Sequence, residues 1–167
     1  KQITDVLKTM DILVIDEISM VRADLFDMVD VALRRIRKNE TPFGGVQLVL
    51  VGDLLQLPPV VTTHEKSLIS SRWETPYFFS AHCYKELSLT NITLTTVWRQ
   101  TDDDFIEVLN QVREGSVGEA ALEVLNKRVD PTFRAPDDWV TLASHRRTVE
   151  KINHDRLNDL DNPRFTS

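Results

Sequence analysis

The stretch Asp11-Ile12-Leu13-Val14-Ile15-Asp16-Glu17-Ile18-Ser19-Met20 decides the fold. Its short apolar run, β-branched at Ile12, Val14 and Ile15, predicts a strand buried on both faces, as in a parallel sheet with helices above and below. The run stops at two carboxylates. A parallel strand delivers whatever follows it to the carboxyl edge of the sheet, where open α/β folds bind ligands. Asp16 and Glu17 therefore stand where chemistry is expected.

An acidic pair at a strand end can serve a nucleotide in two ways: the first carboxylate holds a hydrated Mg²⁺, and the second orients or deprotonates an attacking water. This is the Walker B pattern. A strand end that meets a helix N-terminus also favours Asp and Glu, so these ten residues alone leave a structural reading open. A second apolar run, Val46-Gln47-Leu48-Val49-Leu50-Val51, ends in Gly52-Asp53-Leu54-Leu55-Gln56-Leu57-Pro58-Pro59-Val60. Gly52 permits a sharp turn, Asp53 and Gln56 place a charge and an amide just past the strand, and the prolines stiffen the exit.

Asp-Glu-Ile-Ser-Met followed by Gly-Asp-Leu-Leu-Gln-Leu-Pro-Pro-Val resembles motifs II and III of the superfamily 1B DNA helicases, the Pif-type enzymes and the RecD subunits of exonuclease V. Val97-Trp98-Arg99-Gln100 resembles the family's next motif. The resemblance runs from about Ile12 to Asn153. It implies an α/β fold, a partial RecA-like P-loop NTPase domain with a parallel central sheet and the beginning of a second such domain. It further implies ATP and Mg²⁺ as cofactors, and single-stranded DNA with the remaining helicase segments as partners. Exonuclease V relatives would add a nuclease complex. On this resemblance Asp16 holds the metal and Glu17 the water. Gly52, Asp53 and Gln56 belong to the nucleotide site, Gln56 linking the γ-phosphate to DNA, and Arg99 senses that phosphate.

Composition bounds these expectations. At 41% hydrophobic and 28% charged residues the chain is of the globular class, and no apolar run approaches the roughly 18 residues of a membrane span. The single Cys83 excludes an internal disulfide and fits a reducing compartment: the cytoplasm is favoured, the nucleus or mitochondrion if the source is eukaryotic. A net charge of −6 means that DNA binding cannot be read from composition, because phosphate neutralisation by Lys and Arg supplies most non-specific affinity.

Taken in order, Ile3, Val6, Leu7 and Met10 recur at helical spacing. Leu25, Met28, Val29, Ala32, Leu33 and Ile36 form one stripe from about Arg22 to Lys38, and a crossover of that length predicts parallel pairing of the strands it joins. Arg34, Arg35, Arg37 and Lys38 crowd its end, either as solvated complements of the helix dipole or as a DNA contact. Gly44-Gly45 reads as a source of flexibility, and Val61 to Ser71 as loop. Trp73 to Ser80 reads as aromatic core in which Trp73 and Tyr77 are the rings able to stack on bases; His82, Cys83 and Tyr84 read as packing.

Ile92 to Val97 alternates like a strand and delivers Arg99 to its end. An arginine there can stabilise charge on a transferring phosphoryl group or make a surface ion pair. Asp102 to Asp104 cap a helix that Gly115 ends, and Ser116-Val117-Gly118-Glu119 reads as a capping box opening another. Trp139 to Ala143 reads as a last strand before a further helix. Arg146 and Arg147 stand at that helix start, where the dipole disfavours cations, so they either meet DNA backbone or pair locally with Glu150.

No Gly-x-x-x-x-Gly-Lys-Ser/Thr pattern occurs in the sequence. The expected organisation is a partial first RecA-like domain over 1–100, a helical connector over 101–136 and the start of a second domain over 137–167. The chain is thus expected to be an internal helicase fragment, inactive alone, from a 5′-to-3′ enzyme. Two other classes fit the strands: another P-loop or AAA-type ATPase, and a non-catalytic DNA-binding module.

Overall fold

Strands β1 (Ile12–Ile15) and β2 (Gln47–Leu50) pair in parallel, with Ile12 opposite Gln47 and Ile15 opposite Leu50. The computed structural model in which they are seen describes residues 2–136 and 138–160. Helix α1 (Gln2–Thr9) precedes β1, and α2 (Ala23–Arg37) makes the crossover to β2. The parallel pairing expected from that crossover is present. The strands are not buried on both faces, however. Leu13, Ile15, Leu48 and Leu50 pack on the core, while Ile12 and Val14 are 53% and 59% exposed. Among the described residues the sheet has two strands, and on its other side Ile12, Val14 and Val49 are exposed.

The buried face of α2 is displaced from the stripe that apolar spacing picks. Ala23, Phe26, Asp30 and Leu33 are inside, whereas Leu25 and Met28 are exposed. Aromatic packing sets the rotation: the Phe26 ring lies 5.0 Å from that of Phe43 and 5.8 Å from that of Phe78. Ile18, Ala81 and Cys83 complete this core, and burial pushes the Cys83 thiol far above its ordinary pKa.

Gly44 and Gly45 are points of rigidity. Both have positive φ, and a Cβ on Gly44 would stand 2.8 Å from the Leu33 carbonyl oxygen. Neither Arg34 nor Arg37 is a solvated cation. Arg34 pairs with Asp30 and Glu86, at 2.9 and 3.0 Å. Arg37 donates Nη1 to the carbonyls of Leu7, Lys8 and Met10, satisfying acceptors that the end of α1 leaves open. Tertiary acceptors within reach outcompete water for both guanidinium groups.

The segment expected as loop contains α3 (Lys66–Arg72). A turn precedes it: the Thr62 hydroxyl donates to Glu65 Oε2 at 2.7 Å, and the same carboxylate accepts the Thr62 N–H at 3.2 Å. Glu65 also binds Arg22 at 2.7 Å, and these bonds, the Thr62 hydroxyl foremost, hold its pKa down to about 2. Trp73 donates Nε1 to Asp27 at 2.8 Å, and Tyr77 stacks on Phe79 with ring centroids 5.2 Å apart.

Ile92 to Val97 and Trp139 to Ala143 form no strand; Leu94 and Leu142 are 87% and 92% exposed. Alternation expresses a preference for a pleated, half-buried surface, and neither segment pairs with a strand among the described residues. Helix α4 (Asp103–Glu114) is capped by Asp102, which accepts from Phe105 N, and ended by Gly115 at φ 68°. The box read at Ser116 does not form. Helix α5 (Glu119–Asn126) starts later, with Leu122 N donating to the Gly118 carbonyl.

The chain divides into two compact units, Lys1–Leu122 and Glu123–Ser167, so the division falls inside the connector expected over 101–136. The second unit contains α6 (Arg146–Asn158), no residue of which is buried. Residues 161–167, the end of the expected second domain, lie outside the described residues.

Candidate functional site

Asp16 and Glu17 leave β1 at the edge from which Gly52 and Asp53 leave β2. The two exits stay bonded past the strands: Val51 N donates to Ile15 O at 2.9 Å, and Ile18 N donates to Val51 O at 3.0 Å. A Cβ on Gly52 would lie 3.0 Å from Ile18 N and 3.4 Å from Ser19 N. Close approach of the two turns, and not a left-handed backbone, is what requires glycine there. Ser19 is fully buried beneath the acid turn, and its hydroxyl has no hydrogen-bond partner among the described residues.

Glu17 sits in the left-handed region at φ 51°, ψ 43°, and donates its N–H to Asp16 Oδ1 at 2.8 Å. For a residue with a Cβ this conformation is costly, and such strain concentrates at functional sites. It turns the chain sharply from β1 into the 3₁₀ turn Ile18–Met20. Both carboxylates are exposed, and no cation pairs with either among the described residues. Oxygen donors of this kind suit Mg²⁺, which keeps several waters and takes one or two carboxylates together with substrate phosphates. No group of three or more His, Cys, Asp or Glu among the described residues forms an all-protein cage.

Asp53 is 22% exposed, and all its contacts are internal. Oδ1 accepts Leu55 N at 3.0 Å and Arg113 Nη2 at 3.3 Å; Oδ2 accepts Arg113 Nε at 2.6 Å and Gln56 Nε2 at 3.2 Å. Arg113, and next the Leu55 N–H, hold its pKa down at about 2. Gln56 is exposed and also donates its backbone N–H to the Asp53 carbonyl, at 3.1 Å. No hydrogen bond joins Gln56 to Asp16 or Glu17 among the described residues. What the structure brings together is the pair of turns that carry them.

The remaining candidates are Arg99, Arg146 and Arg147. Arg99 is exposed and makes no hydrogen bond or ion pair among the described residues. Gln100 turns inward to α4, its Oε1 accepting Thr101 N at 2.8 Å and Asp102 N at 3.1 Å. In the second unit Arg146 pairs with Glu150 at 2.8 Å, both side chains largely in solvent; Arg147 is exposed without an ion pair among the described residues. Arg113 is the partner that sequence reading missed. Its only local signal is a cation in the last turn of a helix, which the dipole favours anyway. A cleft of about 510 Å³ lined by Met28, Val31, Leu68, Arg72 and Trp73 lies on the outer side of α2, and neither acid of the turn lines it.

An α/β unit whose two parallel strands carry Asp-Glu and Gly-Asp-Leu-Leu-Gln turns side by side at one edge is the architecture of a RecA-like domain. The family model described as PIF1-like helicase matches residues 1–123. The chain belongs to that family. It is 38% identical over 150 residues to the ATP-dependent DNA helicase RRM3 of Saccharomyces cerevisiae, covering 89% of this chain and 20% of that protein. To the human ATP-dependent DNA helicase PIF1 it is 37% identical over 152 residues, covering 89% and 22%. The solved Pif1 helicase from Bacteroides in complex with ADP-AlF3 and ssDNA superposes with a TM-score of 0.89 at 37% identity, over 98% of this chain and 38% of that one. The chain thus spans about a fifth of the length of the curated relatives it matches.

Proposed function

We propose that the protein carrying this chain is an ATP-dependent DNA helicase of the Pif type, translocating 5′ to 3′ on single-stranded DNA. The observation that supports this best is the packing of Gly52 against Ile18 and Ser19, which sets the turn bearing Asp16 and Glu17 beside the turn bearing Asp53 and Gln56. Relatives named as ATP-dependent DNA helicases, and a solved relative holding ADP-AlF3 and ssDNA, support the same reading. These relatives favour a Pif-type enzyme over an exonuclease V subunit. They also weigh against another class of ATPase or a non-catalytic module. DNA repair and recombination, in a reducing compartment, are the settings we assign.

In this reading Asp16 and Glu17 face the γ-phosphate edge of a bound ATP. Asp16 would hold a hydrated Mg²⁺, which when bound neutralises charge on the β- and γ-phosphates. Glu17 accepts the proton of the attacking water. Gln56 supplies a polar contact that registers the γ-phosphate, and Gly52 and Asp53 fix the turn that presents it. Arg99, without an internal partner among the described residues, is available to stabilise charge on the transferring group. Arg147 and, on release from Glu150, Arg146 would meet DNA phosphates.

The test is Glu17→Gln in the full-length protein. ATP binding should persist while DNA-stimulated turnover falls on the order of a hundredfold, the scale of a lost general base. Unchanged turnover would remove the assignment.

A further inference from the structure

We propose that Arg113 is a positioning residue for Gln56, acting through Asp53; the inference rests on the assignment of Gln56 to the nucleotide site. A carboxylate only accepts hydrogen bonds, so the end of the Gln56 amide that faces Asp53 is its NH₂ group. That fixes what Gln56 offers outward: its carbonyl oxygen and one remaining N–H. The first can accept from the attacking water, the second can donate to a phosphate oxygen. A Gln56 turned the other way would offer neither in the same place.

Asp53 can enforce this only if it is itself held. Leu55 N secures one oxygen, and the Arg113 guanidinium reaches both, through Nε to Oδ2 at 2.6 Å and Nη2 to Oδ1 at 3.3 Å. Two parallel donors set the plane of the carboxylate as a single donor cannot. Arg113 comes from the last turn of α4, where Gly115 ends the helix and Val108 anchors it in the unit. Sixty residues separate the two partners, so the clasp ties the Gly52–Gln56 turn to a distant helix that continues the chain toward α5. Neither Asp53 nor Arg113 needs to touch substrate. Their part is to present one face of an amide.

The experiment uses the full-length protein and measures kcat and KM for ATP in the presence of single-stranded DNA, with fluorescent-nucleotide binding alongside. Arg113→Gln should lower kcat on the order of tenfold while KM and nucleotide affinity stay within about twofold, because alignment and not binding is lost. Arg113→Lys keeps the charge without the fork, so its kcat should fall between those of wild type and Arg113→Gln. Asp53→Asn should resemble Arg113→Gln, and the double variant should be no slower than the slower single, since both act through one contact. Full kcat in Arg113→Gln, a change confined to KM, or multiplicative effects in the double variant would overturn the proposal. If Arg113→Gln does not fold, Arg113→Lys carries the test: lowered kcat at unchanged KM supports it, wild-type kcat overturns it. Glu17→Gln run in parallel separates the two readings. Turnover lost there and kept in the Arg113 variants defeats this inference alone; turnover kept in Glu17→Gln defeats the site.

Discussion

Asp30, buried on α2, accepts the backbone N–H of Phe43 at 2.6 Å, and that bond holds the turn from which β2 starts. Phe43 has φ 52°, a conformation that a bulky residue adopts only when its surroundings impose it. Here its ring is locked against Phe26 and its N–H is taken by the carboxylate, which also binds Arg34 at 2.9 Å. Asp30→Ala would leave the buried Phe43 N–H unpaired and take from Arg34 the nearer of its two carboxylates, Glu86 remaining. The expected loss is about 3 kcal/mol in urea denaturation of the full-length protein, with Asp30→Asn costing less because it keeps an acceptor. A loss under about 1 kcal/mol would show that the turn is held by packing alone.

Two glycines with similar backbone angles should respond differently to alanine. A Cβ added to Gly44, at φ +63°, would stand 2.8 Å from both the Leu33 carbonyl oxygen and Arg37 Cδ, whereas one added to Gly115, at φ +68°, would meet nothing within 4 Å. Gly115→Ala should cost only the left-handed strain, about 1 kcal/mol. Gly44→Ala should cost that and at least as much again from displaced backbone. Equal losses in parallel denaturation curves would contradict the close approach.

The strand pairing and the parallel crossover are legible in the sequence because they rest on local composition: Ile12 to Ile15 and Val46 to Val51 need only be apolar, short and separated by a helix. The acid turn is legible for the same reason. What escapes is what depends on a partner distant in the chain. Ile92 to Val97 has the alternation of a strand and pairs with none among the described residues. Phe26 enters the core through rings at 43 and 78, against the stripe through Leu25 and Met28. Arg37 reads as a surface cation because the carbonyls it caps belong to residues 7 to 10. The box read at Ser116-x-x-Glu119 makes the point in miniature, for it does not close. The Ser116 N–H that Glu119 would accept goes to the Gln111 carbonyl at 2.9 Å, and the Gln111 side chain takes the Gly118 N–H at 3.2 Å. The Asp53 and Arg113 clasp is of this kind too.

Acid should dissolve that clasp in a definite window. Asp53 ionises near 2 in the folded protein, against roughly 3.9 unfolded, so its contribution to stability is complete above about pH 5. Most of it is lost as pH falls to about 2, where the unfolded carboxylate is protonated and the folded one half so. Arg113→Gln removes the chief cause of the shift. The gap in melting temperature between wild type and Arg113→Gln should therefore be steady from pH 5 to 7 and narrow between about pH 4 and 2. A gap that persists unchanged at pH 2 would mean that the ion pair is not its source.

Among the described residues left-handed strain occurs at two solvent-exposed acidic or basic positions, Glu17 at φ 51° and Lys38 at φ 52°, and only one of them lies in the proposed site. Lys38 is the C-cap of α2, a position where glycine is the commonest residue, and its N–H donates to the Arg34 carbonyl. Lys38→Gly should raise stability by up to about 1 kcal/mol and leave turnover unchanged. Glu17→Gly relieves the same backbone strain, so it too should cost no stability or gain up to about 1 kcal/mol. Its turnover should nevertheless fall as far as that of Glu17→Gln, because the carboxylate is gone. The physical content lies in that divergence. Strain that persists at a helix end needs no reason beyond the turn, whereas on the proposed function strain at Glu17 is tolerated because that function requires a carboxylate just past β1. Thermal denaturation and DNA-stimulated ATP hydrolysis on the two variants decide it: if Glu17→Gly keeps wild-type turnover, the left-handed residue is a turn and nothing more.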